Sequence, residues 1–326
     1  MTELAARPPL IVIAGATATG KTALSLAVAE ALAARGIAVE IISADSRQVY
    51  RGMDIGTAKA SLEEQASVRH HGLDLVDPDR PFSVADFAAC AEEALAGIAE
   101  RGAVALLAGG TGFYLRAVAR GLAVDELPWD PEIRAGIDAT LATGGLHVLV
   151  AELRRLAPTR AAEVDLRNPR RVVRALEIAK IRGDAPLPAP RGYGLEVLWL
   201  GLQIDPVVHR ERIRMRARAQ FDAGLVDETR ALIARFDPSL PSFSGIGYAE
   251  SIAYLADRMT LGEAVAEDAH RNLRLARHQA TWFRRETDIE WLDGTTNLPL
   301  SAALASIDSY LGRLPAAAGR SAILPR

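Results

Sequence analysis

The stretch Gly15-Ala16-Thr17-Ala18-Thr19-Gly20-Lys21-Thr22 constrains this chain more than any other. It follows an apolar run, Leu10 to Ala14, and precedes a helical pattern, Ala23 to Leu32. Strand, glycine-bearing loop and helix in that order form the setting of a phosphate-cradling P-loop. The backbone N–H groups of such a loop and the positive end of the helix face an anion. Lys21 adds a point charge, and the Thr22 hydroxyl is placed to reach a phosphate-bound Mg2+. The plainer alternative is an ordinary glycine turn with a surface lysine, and the flanking strand and helix both argue against it. By itself the loop does not say which phosphate it holds.

Composition narrows the setting. The 326 residues, 49% hydrophobic and 24% charged, suit a soluble globular protein of one large or two modest domains. The net charge of −3 gives no bulk attraction to nucleic acid, so such binding must come from local clusters. One cysteine, Cys90, excludes a disulfide framework and a cysteine zinc site, and points to a reducing compartment. Met1 to Pro9 lacks the layout of a signal peptide, and no apolar run is long enough to span a bilayer. The cytoplasm, with no membrane partner, is the expected location.

Along the chain, Ile37 to Ser43 reads as a second buried strand. Its end, Ala44-Asp45-Ser46-Arg47-Gln48, falls near the P-loop, because ligands of open α/β sheets lie beyond the carboxyl ends of strands. A helix N-cap is the alternative role for Asp45. Arg51 to Lys59 reads as a loop or lid. His70 and His71, followed by Asp74, Asp77 and Asp79, superficially resemble metal ligands, but adjacent side chains diverge in regular structure, which argues against a metal site. Ser83, with Asp86 in the capping-box position, opens a helix running to about Arg101.

Ala103 to Ala108 is a third buried strand, ending in Gly109-Gly110-Thr111 where an ordinary P-loop NTPase carries an acidic residue. That difference weakens an ATPase reading and turns Thr111 toward the ligand. From about Asp125 helical patterns run without strands to Gly183, and Leu195 to Gln203 returns to the sheet. A long arginine-rich helix follows Asp205, and another spans Ala264 to Glu286. The expected class is α/β, a P-loop NTPase-like parallel sheet flanked by helices. Residues 1–124 and 195–312 form the core, 125–194 an inserted helical subdomain, and 313–326 a flexible tail.

Three basic clusters remain: Arg170, Arg171 and Arg174; Arg210 to Arg218; and Arg271 to Arg285. Each alone is an ordinary solvated helix face. Three together in a slightly acidic chain form the footprint of polyanion binding. Trp282 either stacks on a base or belongs to the core.

Taken together, these segments resemble the tRNA dimethylallyltransferases, also called tRNA isopentenyltransferases. Gly15–Thr22, Ala44–Lys59, Gly109–Tyr114, Arg170–Glu177, Arg212 with Arg216 and Gly224-Leu225, Gly245–Tyr248 and Gln279–Arg284 follow in family order over about residues 9 to 290. Two departures are small: an extra glycine, Gly72, after the histidine pair, and Gln220 where Met is common.

The resemblance implies transfer of a dimethylallyl group from its diphosphate to N6 of adenosine 37 of tRNA, releasing pyrophosphate. By residue match, Gly15, Ala16, Thr17, Ala18, Thr19, Gly20, Lys21 and Thr22 would hold the diphosphate, with Mg2+ at Thr22. Asp45 would be the general base, with Thr111 and Arg216 beside the leaving group. Asp45, Ser46, Arg47, Gln48, Arg134, Arg170, Arg171, Val172, Val173, Arg174, Arg277, His278, Gln279, Trp282 and Arg284 would contact the tRNA anticodon stem-loop. A monomer is expected. Three readings compete: a P-loop small-molecule kinase, opposed by the missing acidic residue; prenylation of free AMP, opposed by the helical insertion; and an RNA-binding module with a vestigial site, opposed by the intact Lys21, Thr22, Asp45, Thr111 and Arg216.

Overall fold

Six strands, β1 (Leu10–Gly15), β2 (Val39–Ser43), β3 (His70–His71), β4 (Val104–Gly109), β5 (Val197–Gln203) and β6 (Ile289–Asp293), form one parallel sheet in the computed structural model, which describes residues 7–315. Their order is β3-β2-β4-β1-β5-β6. All of β1 is buried, which is why it reads as an unbroken apolar run. Side chains of a strand alternate between faces. Accordingly Leu10, Val12 and Ala14 enter one hydrophobic core, while Ile11 and Ile13 enter the other.

Helices cover both faces. α1 (Lys21–Ala33) joins β1 to β2, and α2 (Leu62–Ser67) precedes the edge strand β3. α3 (Val84–Glu100) leads into β4, and α4 (Gly112–Ala119) follows it. α3 starts at the expected capping box, with Ser83 accepting from the Asp86 amide and Asp86 from the Ser83 amide. Phe87 of α3 is fully buried and stacks on Tyr114 of α4 at 4.1 Å between ring centroids. Burying such a side chain contributes roughly 2–3 kcal/mol.

The chain separates into two compact units, Met1–Gly121 with Gly192–Arg326, and Leu122–Arg191. The boundaries lie three residues earlier at each end than the expected 125–194. A hydrogen bond from the Gly192 amide to the Arg120 carbonyl, 3.2 Å, returns the chain to the sheet unit at that point.

The smaller unit is helical: α5 (Pro131–Gly144), α6 (Leu146–Leu156), α7 (Pro158–Glu163) and α8 (Pro169–Arg182). Its core includes Ile137, Leu149, Leu153 and Leu176, and also Val172 and Val173, which are 0% and 2% exposed. The expectation that these two valines contact tRNA is therefore corrected: their side chains face the core of the unit. Glu177 is fully buried and accepts from Arg174 at 2.6 Å and Arg134 at 3.4 Å. Those two arginines neutralise a buried carboxylate, whereas Arg170 and Arg171 are exposed and in no salt bridge among the described residues.

After β5 come α9 (Pro206–Asp222), capped by Asp205, then α10 (Leu225–Ile233), α11 (Tyr248–Leu255) and α12 (Leu261–Phe283). β6 and α13 (Leu300–Arg313) complete the sheet unit. α13 supplies Ile307, Tyr310 and Leu311 to the second core, in a region where the sequence had suggested no element. Of the expected tail, 313–326, Arg313 ends α13 and Leu314 is buried in the second core, and 316–326 lie outside the described residues. No helix among the described residues is long and apolar enough to cross a membrane.

The ends of β2 and β4 approach closely at Gly109, where a Cβ would collide with the backbone carbonyl of Ala44. We expect Gly109→Ala to destabilise the protein by about 1–3 kcal/mol and lower its thermal midpoint by several degrees, followed by circular dichroism. An unchanged midpoint would show that the two strand ends part freely.

Candidate active site

β1 lies between β4, which the chain enters from β3 through α3, and β5, reached after the helical unit. Such a change of direction leaves a crevice at the carboxyl ends of the strands. A cavity of about 840 Å3 occupies it, lined by Thr17, Lys21, Thr22, Asp45, Thr111 and Arg216 among others.

The loop after β1 winds tightly. Thr19 Oγ1 donates to the Ala16 carbonyl at 2.9 Å, and Gly20 takes a left-handed φ of 99° as α1 begins. Among the described residues, the amides of Ala18 to Ala23 form no hydrogen bond within the fold. They make a row of unpaired donors at a positive helix end, a ready anion cradle. Lys21 Nζ donates to the Ala16 carbonyl at 2.7 Å. Burial pushes its ammonium down to about 8, partly opposed by Asp45 and reinforced by Arg216.

Asp45 follows β2. One of its oxygens accepts from the Arg47 amide at 2.8 Å, an Asx turn that caps no helix. Ser46 N–H donates to Thr111 Oγ1 at 3.1 Å, and Thr111 N–H donates to the Ala44 carbonyl at 3.2 Å. These two bonds tie the end of β2 to the turn after β4 and set Thr111 against the cavity.

Arg216 comes from α9. It donates to Asn272 Oδ1 of α12 at 3.4 Å, and Asn272 Nδ2 donates to Asp268 at 2.8 Å. Burial pulls the Arg216 guanidinium below its ordinary range, with Asp268 and Asp45 opposing. Burial also pushes the Asp268 carboxyl up to about 6. Asp268 and Asn272 belong to no motif of the sequence. Their signal is the i, i+4 spacing on the buried face of α12, which periodicity alone assigns to the core.

Other expected residues are placed differently from one another. Gln48 donates to the Thr57 and Ala58 carbonyls at 3.1 and 3.2 Å and accepts from Ser43 Oγ at 2.6 Å. Both its amide hydrogens are thus engaged in the wall of the cavity. Arg47 donates to the Pro241 and Ser242 carbonyls. Gln279 accepts from the Thr17 amide and donates to the Gly110 carbonyl. Arg277, His278 and Arg284 are exposed on or just beyond α12. Trp282 is half-buried against the first core, with Arg116 4.9 Å over its ring. That position favours core over base stacking.

The segment read as a loop or lid, Arg51 to Lys59, is a fixed wall. The Lys59 side chain is 2% exposed and donates to the Tyr50 carbonyl, Asp54 and Asp74 at 2.6–2.9 Å. Glu228 accepts from the amides of Asp54, Ile55 and Gly56. Gln220, the departure from the family pattern, donates to the Ile55 and Gly56 carbonyls. His71 bonds Glu40 at 2.7 Å, and the described residues contain no group of three or more His, Cys, Asp or Glu side chains placed to hold a metal ion.

Lys21 is cationic below about pH 8 and loses its charge above it. We expect affinity for inorganic pyrophosphate to fall about tenfold per pH unit above that value, and Lys21→Arg to abolish this decline. Titration calorimetry across the range measures it, and a flat wild-type profile would remove Lys21 as the anion contact.

The chain matches known proteins over most of its length. A family model described as IPP transferase matches residues 48–286. A tRNA dimethylallyltransferase of Bifidobacterium animalis subsp. lactis is 41% identical over 305 residues, covering 92% of this chain and 86% of that protein. One from Moorella thermoacetica is 40% identical over 324 residues, covering 95% and 98%. The crystal structure of the full-length tRNA isopentenylpyrophosphate transferase of Bacillus halodurans matches with a TM-score of 0.67 at 36% identity, over 94% of this chain and 96% of that one. A eukaryotic dimethylallyltransferase solved acting on tRNA matches at a TM-score of 0.75 over 94% of this chain and 80% of that one, and its 22% identity speaks for the fold alone. An anion-cradling loop, a glycine turn in place of an acidic strand end, and relatives so similar over nearly the whole length lead to one conclusion: the chain belongs to the IPP transferase family, that of the tRNA dimethylallyltransferases.

Proposed function

We propose that this enzyme transfers a dimethylallyl group from dimethylallyl diphosphate to N6 of adenosine 37 of tRNA, beside the anticodon, and releases pyrophosphate. The observation that carries this reading is the convergence of Lys21, Asp45, Thr111 and Arg216 on one cavity with no acidic residue at the end of β4. A hydrolase or kinase of this fold places its metal-holding acid at that strand end. The relatives named for dimethylallyl transfer to tRNA support the same reading.

The adenine N6 lone pair forms a bond to C1 of the donor as the C1–O bond breaks, and the electron pair leaves with pyrophosphate. The lone pair of an exocyclic adenine amine is delocalised, so removal of its proton must accompany attack. Asp45 takes that proton. Its second oxygen forms no hydrogen bond within the described residues, and its turn with Arg47 fixes the carboxylate. General-base assistance of this kind contributes typically 10²–10⁴-fold.

Negative charge gathers on the leaving oxygens, where the free loop amides, Lys21, Thr111 and Arg216 stabilise it. Thr22 is exposed at the start of α1 with no side-chain bond among the described residues, so it fits as the ligand to a Mg2+ carried with the diphosphate. That ion, when bound, neutralises part of the leaving-group charge.

A stacked base must be flipped out to reach such a cavity. Ser46, which lines the cavity, meets its edge in this reading, and Gln48 shapes the wall. Arg170, Arg171, Arg277, His278 and Arg284 serve the anticodon stem-loop through its phosphates. We place the enzyme in the cytoplasm as a monomer, and the single partly buried Cys90 accords with a reducing compartment.

Incubation with dimethylallyl diphosphate, Mg2+ and bulk tRNA, followed by nucleoside mass spectrometry, should show the mass gain on adenosine 37. Gain on free AMP alone would overturn the tRNA assignment. We expect Asp45→Ala to keep tRNA affinity while slowing single-turnover transfer by about 10²-fold or more. A wild-type rate would eliminate Asp45 as the base. Arg216→Ala should lower the transfer rate more than tRNA affinity; rescue by saturating tRNA would instead place Arg216 on the RNA backbone.

A further inference from the structure

Among the described residues, Thr17 is the residue of the anion loop held from outside the loop. Its amide donates to Gln279 Oε1 of α12 at 2.8 Å, and its carbonyl accepts from His209 Nε2 of α9 at 2.8 Å. The same Gln279 side chain donates through Nε2 to the Gly110 carbonyl at 2.9 Å. The partners leave no freedom in the assignment of the amide, because an N–H must meet the oxygen and a carbonyl the nitrogen. Gly110 makes the room: a Cβ there would stand 2.5 Å from Gln279 Nε2.

From these contacts we infer that His209 and Gln279 form a clamp on Thr17 that sets the shape of the anion loop and its distance from the Gly110-Thr111 turn. Both are positioning residues for the diphosphate donor, and Gln279 serves this purpose instead of touching tRNA. The inference rests on the reading of the loop as the diphosphate site.

Three features support it. First, the Thr17 amide is committed to Gln279, so it is withdrawn from the anion, and the donors left are those from Ala18 onward, at the start of α1. A loop whose first peptide is fixed presents those amides without having to order them on binding, which is where preorganisation raises affinity. Second, Gln279 spans the two walls between which the diphosphate would lie. Lys21 stands on the loop side and Thr111 on the turn side, and one amide sets their separation. Third, His209 sits among Lys21, Arg212 and Arg216, and burial with these cations holds its imidazole below the ordinary range. A neutral ring grips the Thr17 carbonyl without adding another positive charge. His209, Arg212 and Arg216 are spaced i, i+3, i+7, so one face of α9 carries both the loop clamp and the leaving-group cation. Arg212 of that face holds the Gly294 and Thr295 carbonyls at 2.9 and 2.8 Å.

The test compares Gln279→Met, His209→Phe, their double variant and the conservative His209→Gln, whose amide nitrogen still donates. Three quantities are read: pyrophosphate affinity of the free protein by calorimetry, KM and kcat for dimethylallyl diphosphate, and tRNA affinity by filter binding. Loss of a positioning hydrogen bond predicts roughly five- to tenfold weaker pyrophosphate binding and a matching rise in donor KM for each single variant. kcat at saturating donor and tRNA affinity should stay within about twofold. Because both residues hold the two peptide groups that flank Thr17, the double variant should lose less than the product of the single losses, and His209→Gln should restore most of the affinity.

A fall in tRNA affinity with unchanged pyrophosphate binding in Gln279→Met would overturn the inference and return Gln279 to the RNA. Independent, multiplying losses would overturn the joint clamp, and so would unaltered pyrophosphate binding in His209→Phe. Thermal midpoints of all four proteins separate these outcomes from misfolding, with His209→Gln as the variant least able to disturb packing. Pyrophosphate binding is measured without an acceptor, so failure of the tRNA assignment in the wild type would leave this test intact.

Discussion

Lys21, Asp45 and Arg216 share one partly dehydrated cavity, and much of the sheet unit is arranged to hold those three charges there. Two cations and one carboxylate leave a net positive field, suited to a diphosphate and strengthened by exclusion of water. Burial alone would strip Lys21 and Arg216 of their protons more readily. Asp45 opposes that for both, and Asp268 adds its field to Arg216. The carboxylate that takes the acceptor's proton in the proposed mechanism also stabilises the cations that hold the donor.

Each charge comes from a different strand end or helix, so its position depends on how those elements are joined. Hydrogen bonds between loops do the joining. Ser46 and Thr111 connect β2 to β4, and Gln279 connects the β1 loop to the β4 turn. The segment from Arg51 to Lys59 is held by Lys59, Glu228 and Gln220 on several sides. Polar groups buried in this number stabilise only when nearly all are satisfied. Here they make a rigid cup, and rigidity is what orientation-dependent catalysis needs.

The basic clusters divide by the same physics. In the helical unit, Arg134 and Arg174 are spent on the buried Glu177, and Arg170 and Arg171 remain in solvent. On α9, Arg212 and Arg216 turn inward, and Arg210, Arg214 and Arg218 are exposed. A count of cations therefore overstates the surface offered to a polyanion, because a buried carboxylate or a row of carbonyls recruits the same residue type.

Much of this protein was legible in its sequence. The loop from Gly15 to Thr22, the buried strands on either side of the first helix, the Ser83 cap and the return to the sheet near Leu195 all rest on periods of a few residues, which local chain geometry imposes. The placement of Asp45 followed from a topological rule applied to those strands. β3 escaped because two residues carry no periodicity, and β6 and α13 because no motif drew attention to them. The clamp on Thr17 escaped for a deeper reason. His209 and Gln279 lie 192 and 262 residues away along the chain, and no local pattern encodes a hydrogen bond across that distance. The sequence determined which groups could bind an anion, since that chemistry belongs to residue types at short spacing. Only the packing of α9 against α12, and of α12 against β1, decided which polar side chains face that anion and which are used up in holding its site.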